Sequence, residues 1–536
     1  MIDNANAARI AAITARPEPM NSGDSPPTAT RVNGTVKEKA VTPTKPRHKP
    51  ACPGNTAERR RIALLWPFMS QDSTGRIVAD LQRWVASAPP GAQLPSNRAL
   101  TAQYGASPVT VQKAMRTLAA LGLIESRPGI GTFVRTVRAL GPADLGWQTA
   151  ALGAPPARLP TLATPQRTAA PDAIGLHSGY PDHDLLPERL VRAAISRAAR
   201  TGVALTRSPA TGMPELRAWF AAELAHAAPA TVTPATARDV LILSGSQSGL
   251  SSIFRALIGP GHPLLIESPT YWGAILAAAQ AGVTLVPIPA GPDGPDPDEI
   301  DRAFTQTGAR GFYAQPTYAN PTGGQWPVEA GQRVLDICRD HGAFLIEDDW
   351  AHDLAIDTDP RPIAAHDHDG HVIYLRSLTK SVSPALRVAA VSARGPARDR
   401  ILADRSAESM YVSGLLQAAA LDVITQPGWR THLRTIRHRL RARRDLLIAS
   451  ISDHVPQAHL ERPPVGGLNL WLRLPDGTDL DTLTRTCEAR GLIIADGREW
   501  FPAEPPAPYI RLNFSGPDPD RFPEAAAILG NALTSL

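Results

Sequence analysis

Hydrophobic positions along the chain first fall into register just after Arg76. Ile77, Leu81 and Trp84/Val85 recur at helical spacing until Pro89, Pro90 and Gly91 break the run, which predicts one helix. A second is expected after Pro95, where Ser96 can cap the open backbone N–H groups and Ala99, Leu100 and Tyr104 follow before a turn at Gly105. Ser107 caps a third, whose buried stripe is Val111, Ala114/Met115 and Leu118. "LIESRPGIGTFV" then reads as two short β-prone runs around a Pro-Gly turn. Helices and hairpin in this order predict a winged helix-turn-helix over residues 71–137.

Beyond residue 171 short apolar runs alternate with stretches long enough for crossover helices: "DVLILSG", "HPLLIES", "RGFYAQP", "AFLIEDD" and "HVIYLRS". That texture predicts an α/β domain with a mostly parallel sheet over residues 172–536. Each run ends in polar residues, and ligands of such sheets sit outside the carboxyl ends of the strands. Ser246, Gln247, Tyr271, Asn320, Asp348 and Lys380 are therefore candidates to line one cleft. Residues 138–171, loaded with alanine, proline and glycine, predict a linker. Residues 1–70 lack hydrophobic periodicity and are expected to form a disordered tail.

Composition sets outer limits. At 536 residues the chain exceeds one core, in keeping with several domains. No apolar stretch approaches the roughly 20 residues of a membrane span. Cys52, Cys338 and Cys487 are too few and too scattered for a disulfide framework or a metal knuckle. With no secretory leader pattern, a cytoplasmic location is expected. A net charge of +5 permits nucleic-acid binding without proving it.

The third helix fits a major groove and offers Thr110, Gln112 and Lys113, while Arg98 and the wing backbone at Gly129 and Gly131 can meet phosphates. The succession Leu-Pro-Ser ending at Ser96, then Arg98, Ser107, Thr110-Val111 and "GIGTFV" resembles the winged helix-turn-helix of the GntR family of bacterial regulators. Double-stranded operator DNA is the partner this implies. Pro108 and Gln112 stand where relatives often carry arginine, so the resemblance does not carry over a base preference.

In the second domain "SGSQSGL" forms a strand-to-helix turn whose N–H groups attract an anion, with Ser246 and Gln247 at the helix start. Ser377, Thr379 and Arg387 add hydroxyls and a positive fork suited to phosphate oxygens. Tyr271 can lie flat on a heteroaromatic ring, Asp348 can hold a ring nitrogen protonated, Asn320 can donate to a ring hydroxyl, and Lys380 can form an imine. That is the inventory of pyridoxal 5'-phosphate.

"YANPTGG", "IEDDW", "SLTKSVSPALRVA", "GGLNLW" and "YIRLNFS" resemble, in order and spacing, the marks of fold type I aminotransferases. The resemblance implies a large α/β domain, a smaller C-terminal α+β subdomain from about residue 400, and a carboxylate clamp at Arg511. It favours Asp348 over Asp349 as partner of the ring nitrogen, because the family aspartate lies two residues before an aromatic, here Trp350. Trp350 itself stands where many relatives have a tyrosine beside the ring hydroxyl. Arg207 stands where they usually have a tyrosine that reaches a neighbouring subunit's phosphate.

A winged helix followed by an aminotransferase-like domain resembles the organisation of the MocR subfamily of GntR regulators. The resemblance implies a homodimer, often exchanging its helix-turn-helix head to tail, that binds pyridoxal phosphate. Such a regulator senses an amine, an amino acid or the cofactor itself through an aldimine, here at Lys380. A second reading keeps the same residues as a working aminotransferase with an appended DNA-binding domain, Lys380 serving as general base. The arginine-rich residues 429–445 keep a thin apolar seam at Leu433, Ile436 and Leu440. They predict a solvated helix packed along one edge, with a secondary DNA contact as the alternative.

Overall fold

The computed structural model describes residues 73–135, 147–148, 151, 164–170, 172–516 and 518–536, in two units divided after Ala151. The tail expected over residues 1–70 and most of the expected linker lie outside the described residues.

The first unit contains α1 (Ser73–Ser87), α2 (Asn97–Tyr104), α3 (Pro108–Ala120) and an antiparallel hairpin of β1 (Ile124–Arg127) and β2 (Gly131–Val134). Ser96 and Ser107 are the N-caps of α2 and α3, accepting from the backbone N–H groups of Ala99 and Thr110 at 3.2 and 3.1 Å. Each supplies an acceptor that a helix start lacks, which sets where the two helices begin. Val111, Ala114, Met115 and Leu118 turn inward against Ile77, Val78, Leu81 and Val85. Trp84, expected in that stripe, is 38% exposed, and Val78 is buried instead. Trp84 lies at the edge of the stripe, where a bulky indole stays at the rim.

In the second unit the strands are β3 (Ile174–Gly175), β4 (Val240–Leu243), β5 (Pro263–Ser268), β6 (Thr284–Gly291), β7 (Gly294–Pro295), β8 (Gly311–Ala314), β9 (Phe344–Asp349), β10 (Val372–Ser377), β11 (Ala389–Ser392), β12 (Asn469–Arg473), β13 (Leu492–Ile493), β14 (Ala495–Asp496) and β15 (Tyr509–Asn513). Strands β4 to β11 form one sheet of order β4-β11-β10-β9-β8-β5-β6-β7. From β10 to β6 all neighbours are parallel, whereas β11 is antiparallel to both β10 and β4, and β7 to β6. All five expected runs are strands of this sheet. Three more, β6, the two-residue β7 and β11, were not expected. Pro287 and Pro289 obscure β6, yet they are tolerated because its outer side pairs with β7 only at Ala290 and Gly291.

Helices cover both faces, so the central strands read as continuous apolar runs. In β9 Ile346 faces one layer, with α6 (Ser246–Ile253), α7 (Trp272–Ala281) and α10 (Gly395–Ser409). Its neighbour Leu345 faces the opposite layer, with α8 (Pro297–Thr307) and α9 (Val328–Asp340). Over the β4 end pack α4 (Glu188–Ala198), α5 (Pro214–Ala227) and α11 (Gly414–Thr425).

A smaller core lies around the antiparallel sheet β12-β15-β14, with α12 (Pro427–His454), α13 (Leu480–Ala489) and α14 (Phe522–Thr534). The boundary expected near residue 400 is corrected on two counts. Helices α10 and α11 pack on the large sheet, and Ile174, Leu176 and Leu185 return from the other end of the unit to join the small core, where β3 pairs with β13. Helix α12 spans both cores, with Trp429 in one and Ile436, Leu440 and Leu447 in the other.

The arginines of α12 also depart from expectation. Arg443 donates to Asp184 at 2.8 Å and to the Gly516 carbonyl, and Arg444 to the Pro464 carbonyl at 2.8 Å and to Asp357. Both are only 6% exposed. Arg437 and Arg441 likewise bind the Ile356 carbonyl. Their guanidinium forks bind main-chain carbonyls together with Asp184, Asp357 and Asp359. These four bind the protein itself, so the solvated-helix expectation fails at their positions, whereas Arg430 stays exposed and Arg434, among the described residues, donates only to the Thr431 hydroxyl.

Candidate cofactor site and nucleic-acid interface

At the carboxyl edge of the parallel strands, a cavity of about 240 Å³ gathers Ser246, Gln247, Tyr271, Asn320, Asp348, Trp350, Ser377, Thr379, Lys380 and Arg387 with Arg511. All of these were legible in the sequence. One end is built as an anion cup. Strand β4 runs into Gly245, whose φ of +97° aims the start of α6 at the cavity. A Cβ at that position would lie 2.6 Å from the Arg387 guanidinium, so glycine permits the approach. Arg387 itself has φ +51°, uncommon for a residue with a side chain. Ser377 accepts the Thr379 backbone N–H at 3.1 Å, leaving its own O–H to donate.

At the other end Asp348 leaves β9. Its Oδ2 accepts from the Tyr313 hydroxyl and from Gln315 Nε2, each at 2.8 Å, and Gln315 Oε1 accepts from the Asn320 backbone N–H at 2.9 Å. Burial lifts the Asp348 pKa to about 6, although the Gln315 and Tyr313 donors oppose it. Asp349 points the other way, as adjacent strand residues do, and accepts from Tyr374 at 2.7 Å while pairing with His352 at 2.6 Å. Burial would raise that carboxyl, but His352 and Tyr374, with Arg376, outweigh it and hold its pKa below the usual range. Only Asp348 of the two lines the cavity.

Lys380 stands between the two ends, its Nζ 3.1 Å from the centroid of the Tyr180 ring. Burial, then the charges of Arg511 and Arg387, hold its pKa well below that of an ordinary lysine. Arg511 and Asn513, two apart on β15 and so on one face, both donate to the Ser178 carbonyl, at 3.1 and 2.9 Å. Arg511 also donates to the His177 carbonyl at 2.6 Å and lies 4.5 Å over the Trp500 ring. Burial lowers its pKa to about 9. Asn320 Oδ1 accepts from Trp500 Nε1 at 3.0 Å, which leaves the amide nitrogen as its donating end.

Trp350 stands in the cavity wall as expected. Its indole N–H, however, donates to the Tyr318 carbonyl at 3.0 Å and is not available to a bound ring. Arg207 is exposed and does not line this cavity. Sequence reasoning missed Tyr180, Gln315 and Trp500. Gln315 stands at the polar end of the quoted run "RGFYAQP", just before Pro316, and had the positional signal, whereas Tyr180 and Trp500 had none beyond being aromatic. It also missed Pro165 and Gln166, which line the cavity from within the expected linker.

Among the described residues, Gln247 Oε1, Thr379 Oγ1 and Asp348 Oδ1 are buried with no hydrogen-bond partner. These three unmatched atoms, with Arg511 Nε likewise unpartnered, and one amine and two guanidinium groups around one cavity fit a polar aromatic ring carrying an anion. A larger cleft of about 920 Å³, lined by Pro287, Trp326, Trp471, Phe501 and Tyr509 with Arg361, Arg462 and Glu461, has neither lysine nor histidine in its walls and so no amine to form an imine.

In the first unit, Arg98, Gln112 and Lys113 are exposed. Thr110 is half-buried and its hydroxyl lies 2.8 Å from that of its cap, Ser107. Gly129 turns the wing tip with φ +74°, and Gln93 Nε2 donates to the Ile130 carbonyl at 3.2 Å beside Gly131. Val109 and Ile130, 69% and 67% exposed, are apolar residues at the start of α3 and at the wing tip that sequence reasoning passed over. Val109 lay in plain view, off the buried stripe.

Known proteins bear on both units. Residues 171–529 match the class I and II aminotransferase family, and residues 74–134 the gntR family of bacterial regulatory proteins. The chain is 28% identical over 455 residues to the probable rhizopine catabolism regulatory protein MocR of Rhizobium meliloti, covering 83% of this chain and 90% of that one. It is 29% identical over 375 residues to the 2-aminoadipate transaminase of Thermus thermophilus, covering 69% and 92%. The solved structure of LysN, the α-aminoadipate aminotransferase of Thermus thermophilus complexed with N-(5'-phosphopyridoxyl)-L-leucine, matches with a TM-score of 0.63 and 27% identity, over 69% of this chain and 96% of that one. With most of its length in one family and its winged head in the other, the chain belongs to the class I and II aminotransferase family and is a transcriptional regulator of the MocR subfamily of GntR proteins.

Proposed function

We propose that the second unit holds pyridoxal 5'-phosphate at Lys380 and senses an amine or amino acid there, altering how a pair of winged heads grips operator DNA. The cofactor, when bound, supplies an aldehyde that condenses with primary amines and a ring that draws electrons from the adjoining carbon. Ser246, Ser377, Thr379 and Arg387 would hold its phosphate, Tyr271 its ring face, Asp348 its ring nitrogen and Asn320 its hydroxyl. Burial, with the neighbouring Arg511 and Arg387, disfavours the charged form of Lys380, which favours it as a nucleophile. Arg511 receives a carboxylate of the effector, beside the N–H bonds it already makes. In the head, Gln112 and Thr110 read bases while Arg98, Lys113, Ser96, Ser107 and the wing at Gly129 and Gly131 meet phosphates.

The observation that carries this reading is the meeting of Lys380, Asp348 and the Arg387 cup in one cavity, in a chain whose helix-turn-helix a catalyst does not need. A ligand acts as effector only if it binds one arrangement of the heads better than the other. The test is a spectral titration of reconstituted protein with amines and amino acids, with and without DNA from upstream of its own gene. Colour near the visible edge, a spectral change without sustained turnover and altered DNA retention are expected. Sustained conversion of an amino acid would favour the second reading, a working aminotransferase, to which the likeness to 2-aminoadipate transaminase lends weight. A colourless reconstituted protein would sink both.

A further inference from the structure

Pro165 and Gln166 line the Lys380 cavity although they precede the α/β core in the chain. They belong to a short turn, Thr164–Gln166, where the chain coming from the winged head enters the described part of the second unit. Three anchors hold it. Thr164 donates its backbone N–H to Glu499 at 3.0 Å and its hydroxyl at 2.5 Å. Arg167 pairs with Glu488 at 2.5 Å. Its carbonyl lies 2.9 Å from His177 Nε2.

Two of these anchors are fastened to the arginine that faces the cavity. Glu499 is followed directly by Trp500, whose ring lies under the Arg511 guanidinium at 4.5 Å and whose N–H holds Asn320 at 3.0 Å. His177 meets the strap with its ring and Arg511 with its carbonyl, the latter at 2.6 Å. Its other ring nitrogen is buried without a partner among the described residues, so the strap contact is its ring's one hydrogen bond.

We infer that residues 164–167 are a ligand-sensing strap: a carboxylate held by Arg511 stabilises the strap on its Glu499 and His177 anchors, and the docked strap passes site occupancy to the winged head. A ligand that touches the strap only when it is docked has the differential contact that an equilibrium shift requires. The inference rests on the cavity being the cofactor and amine site, and adds which residues report its filling.

The test uses full-length protein with three probes: pyridoxal 5'-phosphate alone, N-(5'-phosphopyridoxyl)-L-leucine, and the corresponding adduct of 3-methylbutylamine, which lacks only the carboxylate. Hydrogen exchange at the Thr164 amide should slow by roughly fivefold or more with the carboxylated adduct alone. Thr164→Val combined with Glu499→Gln should weaken that adduct by a similar factor and abolish its effect on DNA retention. The double variant should leave the affinity for the decarboxylated adduct and the ligand-free DNA affinity unchanged. Equal protection by both adducts, unchanged exchange with the carboxylated adduct once calorimetry shows that it binds, or a docked strap without any change in DNA retention would overturn the inference. If neither adduct binds, the cofactor reading itself fails, and this inference with it.

Discussion

Tyr313 donates its phenol to Asp348 Oδ2 at 2.8 Å, so the carboxylate that faces the cavity is held by a side chain from the neighbouring strand. Asp348→Asn removes the charge that keeps a ring nitrogen protonated and should weaken cofactor binding tenfold or more, a loss of at least about 1.4 kcal/mol. Tyr313→Phe should cost less, because Gln315 still holds the carboxylate. Equilibrium dialysis with pyridoxal 5'-phosphate checks both, and an Asp348→Asn protein that binds as well as its parent would remove this carboxylate from the site.

Lys380→Ala should abolish the visible absorbance of reconstituted protein while leaving the circular dichroism spectrum unaltered. Its thermal midpoint should not fall, because the wild-type amine has no ion pair among the described residues and pays for desolvation. Colour surviving the substitution would place the covalent attachment elsewhere.

Stability should depend on pH in a stated direction. Burial raises Glu267 to about 7 and Glu347 to about 8 from an ordinary 4.5, against backbone donors that oppose it. Protons held by these folded carboxyls have already left the unfolded chain, so their contribution is full below pH 4.5 and is lost as pH rises through 7 to 8. Asp349, held low, works the other way and gives up its contribution as pH falls below 3.8. Urea denaturation at stepped pH should therefore show a decline between pH 5 and 8 that is shallower in Glu267→Gln. An identical slope in that variant would exclude Glu267 as a source.

Arg443→Ala should destabilise the second unit by about 2 kcal/mol, because it leaves Asp184 and the Gly516 carbonyl short of a donor. DNA affinity should be unchanged. Denaturation and filter binding on the same variant separate the structural role from a nucleic-acid role.

Lys113→Ala should weaken DNA binding across sequences alike and reduce the salt slope by about 1, whereas Gln112→Ala should relax base preference at one position of the operator. Retention measured over a salt series on matched and mismatched operators tests both. Val109→Ser, if the exposed valine meets a thymine methyl, should behave like Gln112→Ala.

Local chemistry made much of this molecule legible in advance. Ser96 and Ser107 announce helix starts because a side-chain oxygen must meet a nearby N–H, and the stripe at Val111, Ala114, Met115 and Leu118 follows from helical periodicity alone. Apolar runs ending in Asp348 or Ser377 likewise place polar groups at strand ends. These signals act within a few residues.

Contacts between distant segments stayed hidden, because burial is decided by what packs from elsewhere. Trp350 commits its N–H to Tyr318, Tyr180 reaches Lys380, the arginines of α12 turn onto carbonyls, and the strap at Thr164 finds Glu499. Sequence by itself determined which residues carry anion-binding, nucleophilic and groove-reading chemistry, and on which elements they sit. Only the tertiary structure decided which of those groups remain free to act, since a hydrogen bond once given to a neighbour across the fold is no longer available to a ligand.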